Sequence, residues 1–405
     1  MKVSNKRLLN VAFGTTILAG ALAVFAVAAR GAPAKIALPA SYPDVGLVVL
    51  GRAVGDNAWS ADGEWIGFPM RGPLDWRMHV WKIHPDGTGA VSLTRKPGAA
   101  PRSAGGVAFR PSGDFIVFVR ENDDVRGTVA RALAEPGIGL NCNLWAMTPD
   151  GGKSWQLTNL PTSYVAPRGF IHPQFSHDGK KLCWAEALGK FSNQDETMAW
   201  GAWAVGVADF AVENGTPKLT RIRRFAPGEQ PCFYETHDWS PDDAKILFTG
   251  NLQEAQPANG LDLYQFDVTT QKLTRLTATR DDWDEHAHFS PDGMRIAWMS
   301  GSGLNVKFPT ARWPYWVKYV KTELWIMNSD GSGQHAITSF NEPWTADYRW
   351  LRRVVGSTDR AVVSDSSWSP DGKKLAFTLA YEAAIPGGIN SILVIMDLSK
   401  RNITY

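Results

Sequence analysis

FSPDGMRIAW, residues 289–298, is one of six related segments in this chain of 405 residues. The other segments are WSADGEWIGF (59–68), FRPSGDFIVF (109–118), FSHDGKKLCW (175–184), WSPDDAKILF (239–248) and WSPDGKKLAF (368–377). In each, an aromatic residue ends one strand, and a Ser-Pro-Asp-Gly turn or a variant of it follows. Proline fixes φ in such a turn, aspartate caps the backbone, and glycine takes the left-handed conformation. Apolar residues then alternate in a second strand, so each segment predicts a β-hairpin.

A second pattern follows each hairpin. It is clearest in LWAMTPDGGKSWQLT (144–158) and LWIMNSDGSGQHAIT (324–338), and degenerate copies extend to the chain end, ILVIMDLSKRNITY (392–405). Each copy predicts two further antiparallel strands, so the repeating unit has four strands. Four-stranded units that repeat along a chain are typical of a β-propeller. The sequence therefore predicts an all-β, six-bladed propeller over residues 45–405. We also expect GLVVLG (46–51) to form a strand in the blade that contains ILVIMD, closing the ring.

The paired patterns resemble the repeat of the TolB-type β-propeller family, and the resemblance covers residues 45–405. It implies the propeller fold, but blades of this type serve scaffolds, the propeller halves of peptidases and some lyases. TolB itself carries an α/β domain ahead of its propeller, and the short segment before the first repeat leaves no room for one here. Peptidases of this type add a hydrolase domain with a Gly-x-Ser-x-Gly elbow, a motif that this sequence lacks.

Residues 1–34 have the layout of a signal peptide or an N-terminal membrane anchor. Lys2, Lys6 and Arg7 precede an apolar stretch from Leu8 to Ala29, and small residues follow. Either interpretation places the rest of the chain in the periplasm or outside the cell, next to the membrane if the segment is retained. Charge is nearly balanced, with 42 basic and 40 acidic side chains, which argues against a nucleic-acid partner.

Two enlarged loops, 302–323 and 339–365, are rich in aromatic and basic residues. Such residues are enriched in interface hot spots and suit sugar stacking or a membrane interface. The sequence therefore predicts binding of a protein or membrane-complex partner, or of a glycan, by the side chains Trp313, Tyr315, Trp316, Tyr319, Trp344, Tyr348, Trp350, Arg352 and Arg353. The alternative is that these aromatics pack onto their own blades.

Four of the eight histidines lie within three residues before a repeat aromatic: His172, His237, His286 and His288. Such positions belong to the innermost strand of a blade, which opens at the propeller axis. Strand alternation would place His286 and His288 on one side, where they could share a divalent metal such as Mn, Zn or Ca.

We expect the ligands of that metal to come from His286, His288, Glu285, His237 and Glu235. Similar propellers in oligogalacturonate lyases hold a metal with axial histidines, although only the His-x-His element matches. The alternative is that these side chains hydrogen-bond to neighbouring strands and fix the blade register.

Two functions follow from these patterns. The first is a binding or scaffold protein of the cell envelope that engages its partner through the enlarged loops. The second is a metal-dependent lyase or hydrolase that acts on an acidic polysaccharide at the histidine cluster. The sequence does not decide whether the protein is an enzyme.

Overall fold

A computed structural model describes residues 45–401, except 54, 73–76, 97, 99, 193–194, 280, 305–318, 357, 359 and 383–388. The described chain forms six four-stranded antiparallel sheets, which follow one another around a ring as the blades of a β-propeller. The predicted fold class is therefore confirmed. The predicted signal peptide or anchor lies outside the described residues.

The first three blades use consecutive strands, numbered from the innermost strand outward. Blade 1 has β2 (Ala58–Trp59), β3 (Ile66–Arg71), β4 (Met78–Ile83) and β5 (Val91–Ser92). Blade 2 has β6 (Ala104–Phe109), β7 (Ile116–Glu121), β8 (Cys142–Met147) and β9 (Ser154–Gln156). Blade 3 has β10 (Gly169–Phe175), β11 (Lys181–Lys190), β12 (Ala202–Glu213) and β13 (Thr216–Phe225).

Blades 4 and 5 follow the same plan, and blade 6 differs. Blade 4 has β14 (Tyr234–Trp239), β15 (Lys245–Gly250), β16 (Asp262–Asp267) and β17 (Leu273–Arg275). Blade 5 has β18 (Asp284–Phe289), β19 (Arg295–Ser300), β20 (Glu323–Asn328) and β21 (His335–Ala336). Blade 6 has β22 (Ala361–Trp368), β23 (Lys374–Glu382), β24 (Ile389–Asp397) and β1 (Leu47–Arg52).

Blade 6 closes the ring with a strand from the other end of the chain. β1 pairs antiparallel with β24, with Leu47 opposite Met396 and Val49 opposite Val394. The predicted strand at 46–51 is thus confirmed, shifted by one residue. After β24 the chain makes a 3-10 turn at Leu398–Lys400, and β1 supplies the fourth strand of the blade.

The core is divided among the blade interfaces. Six clusters of buried apolar residues lie between neighbouring blades, one at each interface of the ring. Repeat tryptophans also bond across these interfaces: Trp239 Nε1 donates to the Gln174 carbonyl at 3.1 Å, and Trp368 Nε1 to the His288 carbonyl at 3.0 Å. The side chains of Trp239 and Trp368 therefore link neighbouring blades.

The repeat turns form as predicted. In the turn of blade 5, the Ser290 hydroxyl donates to Asp292 at 2.5 Å, and Asp292 accepts the Met294 N–H at 3.0 Å. Gly293 has a φ of +71°, where a side chain is disfavoured. These tight turns all lie at one end of the propeller.

The long loops lie at the opposite end, because they follow the second and fourth strands of their blades. Two α-helices of the described residues, α1 (Thr128–Leu133) and α2 (Ala346–Val355), belong to these loops. The innermost strands also begin at this end, which we call the loop face. No helix in the described part of the chain combines the length and apolar character needed to cross a membrane.

Candidate metal centre on the propeller axis

The innermost strands share one position, three residues before the repeat aromatic. The six residues there are Asp56, Gly106, His172, Thr236, His286 and Asp365. Titratable side chains from four blades therefore enter the axis at the same level. Glu235 and Glu285 lie one residue earlier on β14 and β18, and His237 lies one residue later on β14. We call the titratable side chains at this level the axial cluster: Asp56, His172, Glu235, His237, Glu285, His286 and Asp365.

The backbone is irregular at this level. The register of β18 against β19 shifts between Glu285 and His288, and His286 has a φ of +53°. His172 has a φ of +49° at the equivalent shift in β10. These shifts are β-bulges, which redirect a side chain out of the strand's alternation. The bulge interrupts the simple alternation from which His286 and His288 were predicted to share a side, and both rings lie beside His237, with centroids 5.6 Å and 6.4 Å from its centroid.

His172 lies between carboxylates of two other blades. Its Nε2 atom is 3.1 Å from Glu235 Oε1, and its Nδ1 atom is 3.5 Å from Asp56 Oδ2. A carboxylate behind an imidazole fixes its orientation and raises its basicity, as in many metal sites. Asp56 is placed to do this for His172.

His286 is arranged differently, because the carboxylates of Glu235 and of Asp365 from blade 6 both face its Nδ1 atom. Its Nδ1 atom is 2.7 Å from Asp365 Oδ1 and 3.4 Å from Glu235 Oε1, and its Nε2 atom is 3.3 Å from Glu285 Oε2. Trp283 Nε1 holds that Glu285 oxygen with a 2.7 Å hydrogen bond.

His237 completes the cluster from blade 4. Its Nε2 atom lies 2.7 Å from the Thr249 hydroxyl, which itself donates to the Asp284 carbonyl at 3.2 Å. The His286 backbone N–H also donates to this Nε2 atom, at 3.3 Å. His237 Nδ1 is buried and has no hydrogen-bond partner.

Four side chains can meet at one ion. His172, Glu235, His237 and His286 each offer a ligand atom, and these atoms lie within 4.8 Å of one another. Asp56 and Asp365 form a second such group with His172. Three imidazoles and a carboxylate suit a transition metal, since Ca²⁺ takes oxygen ligands. Glu235 Oε1 is buried without a hydrogen bond, as expected of a ligand atom.

The electrostatics of the cluster also favour a cation. Burial raises the pKa of Glu235 well above its usual value, and Glu285 adds to this rise by repulsion. Burial raises the pKa of Asp56 to about 6, and burial also lowers the pKa of His237 well below its usual value. In the metal-free cluster, the raised pKa values favour protons on the buried carboxyls of Glu235 and Asp56. A bound divalent ion would neutralise the charge of these carboxylates instead.

One imidazole is an exception. Burial opposes the charge on His286, but Asp365 and Glu285 outweigh burial and hold its pKa well above the usual value. Although burial disfavours the charge of Asp365, His286 keeps the pKa of that carboxyl low. Each described ion pair of the cluster's carboxylates is made with a histidine.

Of the predicted ligands, the structure brings together Glu235, His237, Glu285 and His286. His288 lies apart, with Nδ1 3.8 Å from Asp238 Oδ2 and its ring centroid 6.4 Å from that of His237. It borders the cluster and is not one of the four converging ligands.

The predicted ligand set omitted three residues: His172, Asp56 and Asp365. The signal that would have found them is the alignment of the six repeats at the position three before the aromatic. Asp56 and Asp365 stand there before Trp59 and Trp368, as His286 does before Phe289. Composition alone does not mark them, because neither lies near another histidine in the sequence.

The aromatic residues predicted for partner binding divide into exposed and buried ones. Trp344 is 80% exposed and Tyr319 48% exposed, whereas Trp350 is 1% exposed and packs against Phe340 in the core. The Trp350 side chain therefore offers no surface to a partner. Tyr348 and Arg352 are half-buried and hydrogen-bonded to each other, and Arg353 is exposed. Trp313, Tyr315 and Trp316 lie outside the described residues.

The known proteins that this chain resembles are found among solved structures. No protein-family model and no curated protein matches the sequence. A TolB from Acinetobacter baumannii is a similar solved structure, with 14% identity and a TM-score of 0.47, over 82% of this chain and 63% of that chain. This chain therefore spans less than two thirds of that TolB.

Two further structures are similar to a comparable degree. A TolB from Agrobacterium tumefaciens has 15% identity and a TM-score of 0.47, over 78% of this chain and 82% of that chain. An oligogalacturonate lyase in complex with manganese has 14% identity and a TM-score of 0.47, over 92% of this chain and 100% of that chain. TolB-type propellers are thus among the similar structures, as the repeats predicted, and the likeness concerns the fold alone.

Proposed function

We propose that this protein binds a divalent transition metal, Mn²⁺ or Zn²⁺, on the propeller axis through His172, Glu235, His237 and His286. The observation that supports this proposal is the convergence of one ligand atom from each of four side chains within 4.8 Å, in a cluster where Glu235 Oε1 and His237 Nδ1 are buried without a hydrogen bond. Asp56 orients the His172 imidazole from the side opposite Glu235, and Asp365 holds the His286 imidazole at its Nδ1 atom. The fold supports the centre by supplying each ligand from an innermost strand.

The reaction that suits this centre is cleavage of an acidic polysaccharide. A bound divalent ion would polarise a substrate carboxylate that ligates it. His288 borders the cluster and is 15% exposed at its side chain, beside Asp238, so it can take a proton from a substrate on the axis. The protein would do this outside the cytoplasm, in the cell envelope, as its N-terminal sequence predicts.

An assay on polygalacturonate tests this function. Protein loaded with manganese should produce unsaturated uronate ends, seen by ultraviolet absorbance, if it is a lyase, or reducing ends alone if it is a hydrolase. A neutral polysaccharide, galactan, is the control substrate. The enzyme assignment fails if loaded protein and its His288→Ala variant leave polygalacturonate equally intact.

The second candidate function is a binding scaffold, which Trp344 specifically favours. This side chain is 80% exposed on the loop face, and its backbone has a φ of +73°, which is costly for a tryptophan. A photo-crosslinking residue at position 344 should capture an envelope partner in cells. The control is position 294, where Met294 is 66% exposed in a repeat turn at the opposite end. Equal capture at both positions would exclude a specific loop-face partner.

A further inference from the structure

A cavity of about 670 Å³ lies between blades 1 and 2, away from the axis. Its floor is apolar and includes Leu93, Phe118 and Met147. Four basic side chains stand around it: Arg95, Lys96, Arg102 and Arg120. Its volume falls in the range of small-molecule sites.

The charges around this cavity are poorly compensated. Arg102 and Arg120 share one carboxylate, Asp123, at 3.3 Å and 2.7 Å. Lys96 Nζ has a carbonyl oxygen, that of Gly152, at 3.4 Å. Within the described residues, no hydrogen bond or ion pair engages the Arg95 guanidinium. Four cationic groups therefore stand against one carboxylate.

Two of the cationic groups are held in place. The Arg120 guanidinium lies 4.4 Å from the centre of the Trp145 ring, and Asp123 fixes its other side. The Arg102 side chain is only 13% exposed. Guanidinium groups fixed in this way lose little entropy on binding a carboxylate or phosphate, and they bind either one in a bidentate manner.

We propose that this cavity binds a small anion that carries several carboxylate or phosphate groups on an apolar frame. Arg102 and Arg120 contact the anion from within, Arg95 and Lys96 contact it from the rim, and the apolar floor receives the frame. This site is separate from the axial cluster and does not depend on the metal.

Titration calorimetry at low salt tests the site with two probes on apolar frames, benzene-1,3,5-tricarboxylate and hexane-1,6-diol bisphosphate. We expect one equivalent of at least one probe to bind, and a preference between them identifies the acidic group. The variant Arg95→Gln/Lys96→Gln should bind about tenfold more weakly. Both residues are exposed, so the variant should fold normally.

The matched control is Arg349→Gln/Lys373→Gln, which makes the same charge change at exposed positions outside the cavity. It should bind as the native protein does, and so should the axial variant His172→Ala, which separates this site from the metal centre. The proposal is overturned if neither probe binds, or if the control weakens binding as much as the cavity variant does. Tighter or equal binding by the cavity variant overturns it as well.

Discussion

Two histidines of the axial cluster have a left-handed backbone conformation, at a position where another blade has glycine. His172 and His286 have φ values of +49° and +53°, where blade 2 has Gly106 at +64°. Glycine adopts this conformation freely, whereas other residues strain by about 1 kcal/mol or more. Two blades thus keep an imidazole at a position whose backbone favours glycine. Such strain is typical of functional sites.

A pair of substitutions at position 172 separates the backbone strain from the side-chain chemistry. His172→Gly and His172→Ala both remove the imidazole, but only glycine relieves the left-handed backbone. We expect the free energy of unfolding of metal-free His172→Gly to be about 1 kcal/mol higher than that of metal-free His172→Ala. Urea denaturation measures the difference. Equal stability of the two variants would mean that the backbone at 172 is not strained.

The repeat-turn aspartates give the molecule a predictable acid response. The repeat serine's hydroxyl lowers the pKa of Asp62, Asp242, Asp292 and Asp371. A carboxylate with a lowered folded pKa stabilises the fold above the unfolded value, about 3.9. That contribution is lost as the pH falls through the lower folded pKa.

Asp371→Asn should therefore make the melting temperature less dependent on pH below about 4. The amide keeps an oxygen that can accept the turn's hydrogen bonds but does not titrate. Asp281→Asn, at an exposed acid outside the repeat turns, is the control. If the native protein and Asp371→Asn lose stability in parallel on acidification, the turns do not contribute to the acid response.

The strand β1 joins the two ends of the chain, and its neighbouring valines offer a matched test. Val49 is 2% exposed in the core of blade 6, whereas Val48 is 41% exposed on the other side of the strand. Val49→Asp buries a charge and should lower the free energy of unfolding by about 3 kcal/mol or more. Val48→Asp should change it by about 0.5 kcal/mol or less. Similar losses in both variants would contradict the described pairing of β1.

Trp344 lies just before helix α2 and Trp350 lies within it, and the sequence alone does not show which of them is buried. Trp350→Ala opens a cavity in the core and should lower stability by about 3–5 kcal/mol. Trp344→Ala removes an exposed ring and should leave the melting temperature unchanged. Differential scanning calorimetry of the two variants checks this. A large loss in Trp344→Ala would show that its ring packs against the protein.

The blades could be predicted from the sequence because each depends on local chemistry. The Ser-Pro-Asp-Gly turns fix the hairpins, and the apolar GLVVLG segment had no other sheet to join. The axial site could be predicted only in part. Glu235, His237, Glu285 and His286 were found from their place before the repeat aromatic, but Asp56 and Asp365 reach them only because the ring closes. The bulge at His286 depends on the backbone, which alternation does not anticipate.

The ring as a whole is what creates the axial cluster. Asp56 comes from blade 1 and Asp365 from blade 6, at opposite ends of the sequence, and the pairing of β1 with β24 holds these blades together. The Asn57 side chain also donates to the Asp365 carbonyl across this junction, at 2.8 Å. The cluster therefore needs an intact ring, and the central claim is that this ring holds one metal ion.

Calorimetric titration of Mn²⁺ or Zn²⁺ into chelator-treated protein tests that claim directly, at a pH of about 7.5, where an imidazole of ordinary pKa is neutral and, among the ligand imidazoles, the ion has to displace only the proton of His286. We expect about one ion per chain for the native protein and no saturable binding for His172→Ala/His286→Ala. His177→Ala, at an exposed histidine away from the axis, should bind as the native protein does. The claim is contradicted if the native protein binds neither ion, or if the double variant binds as tightly as the native protein.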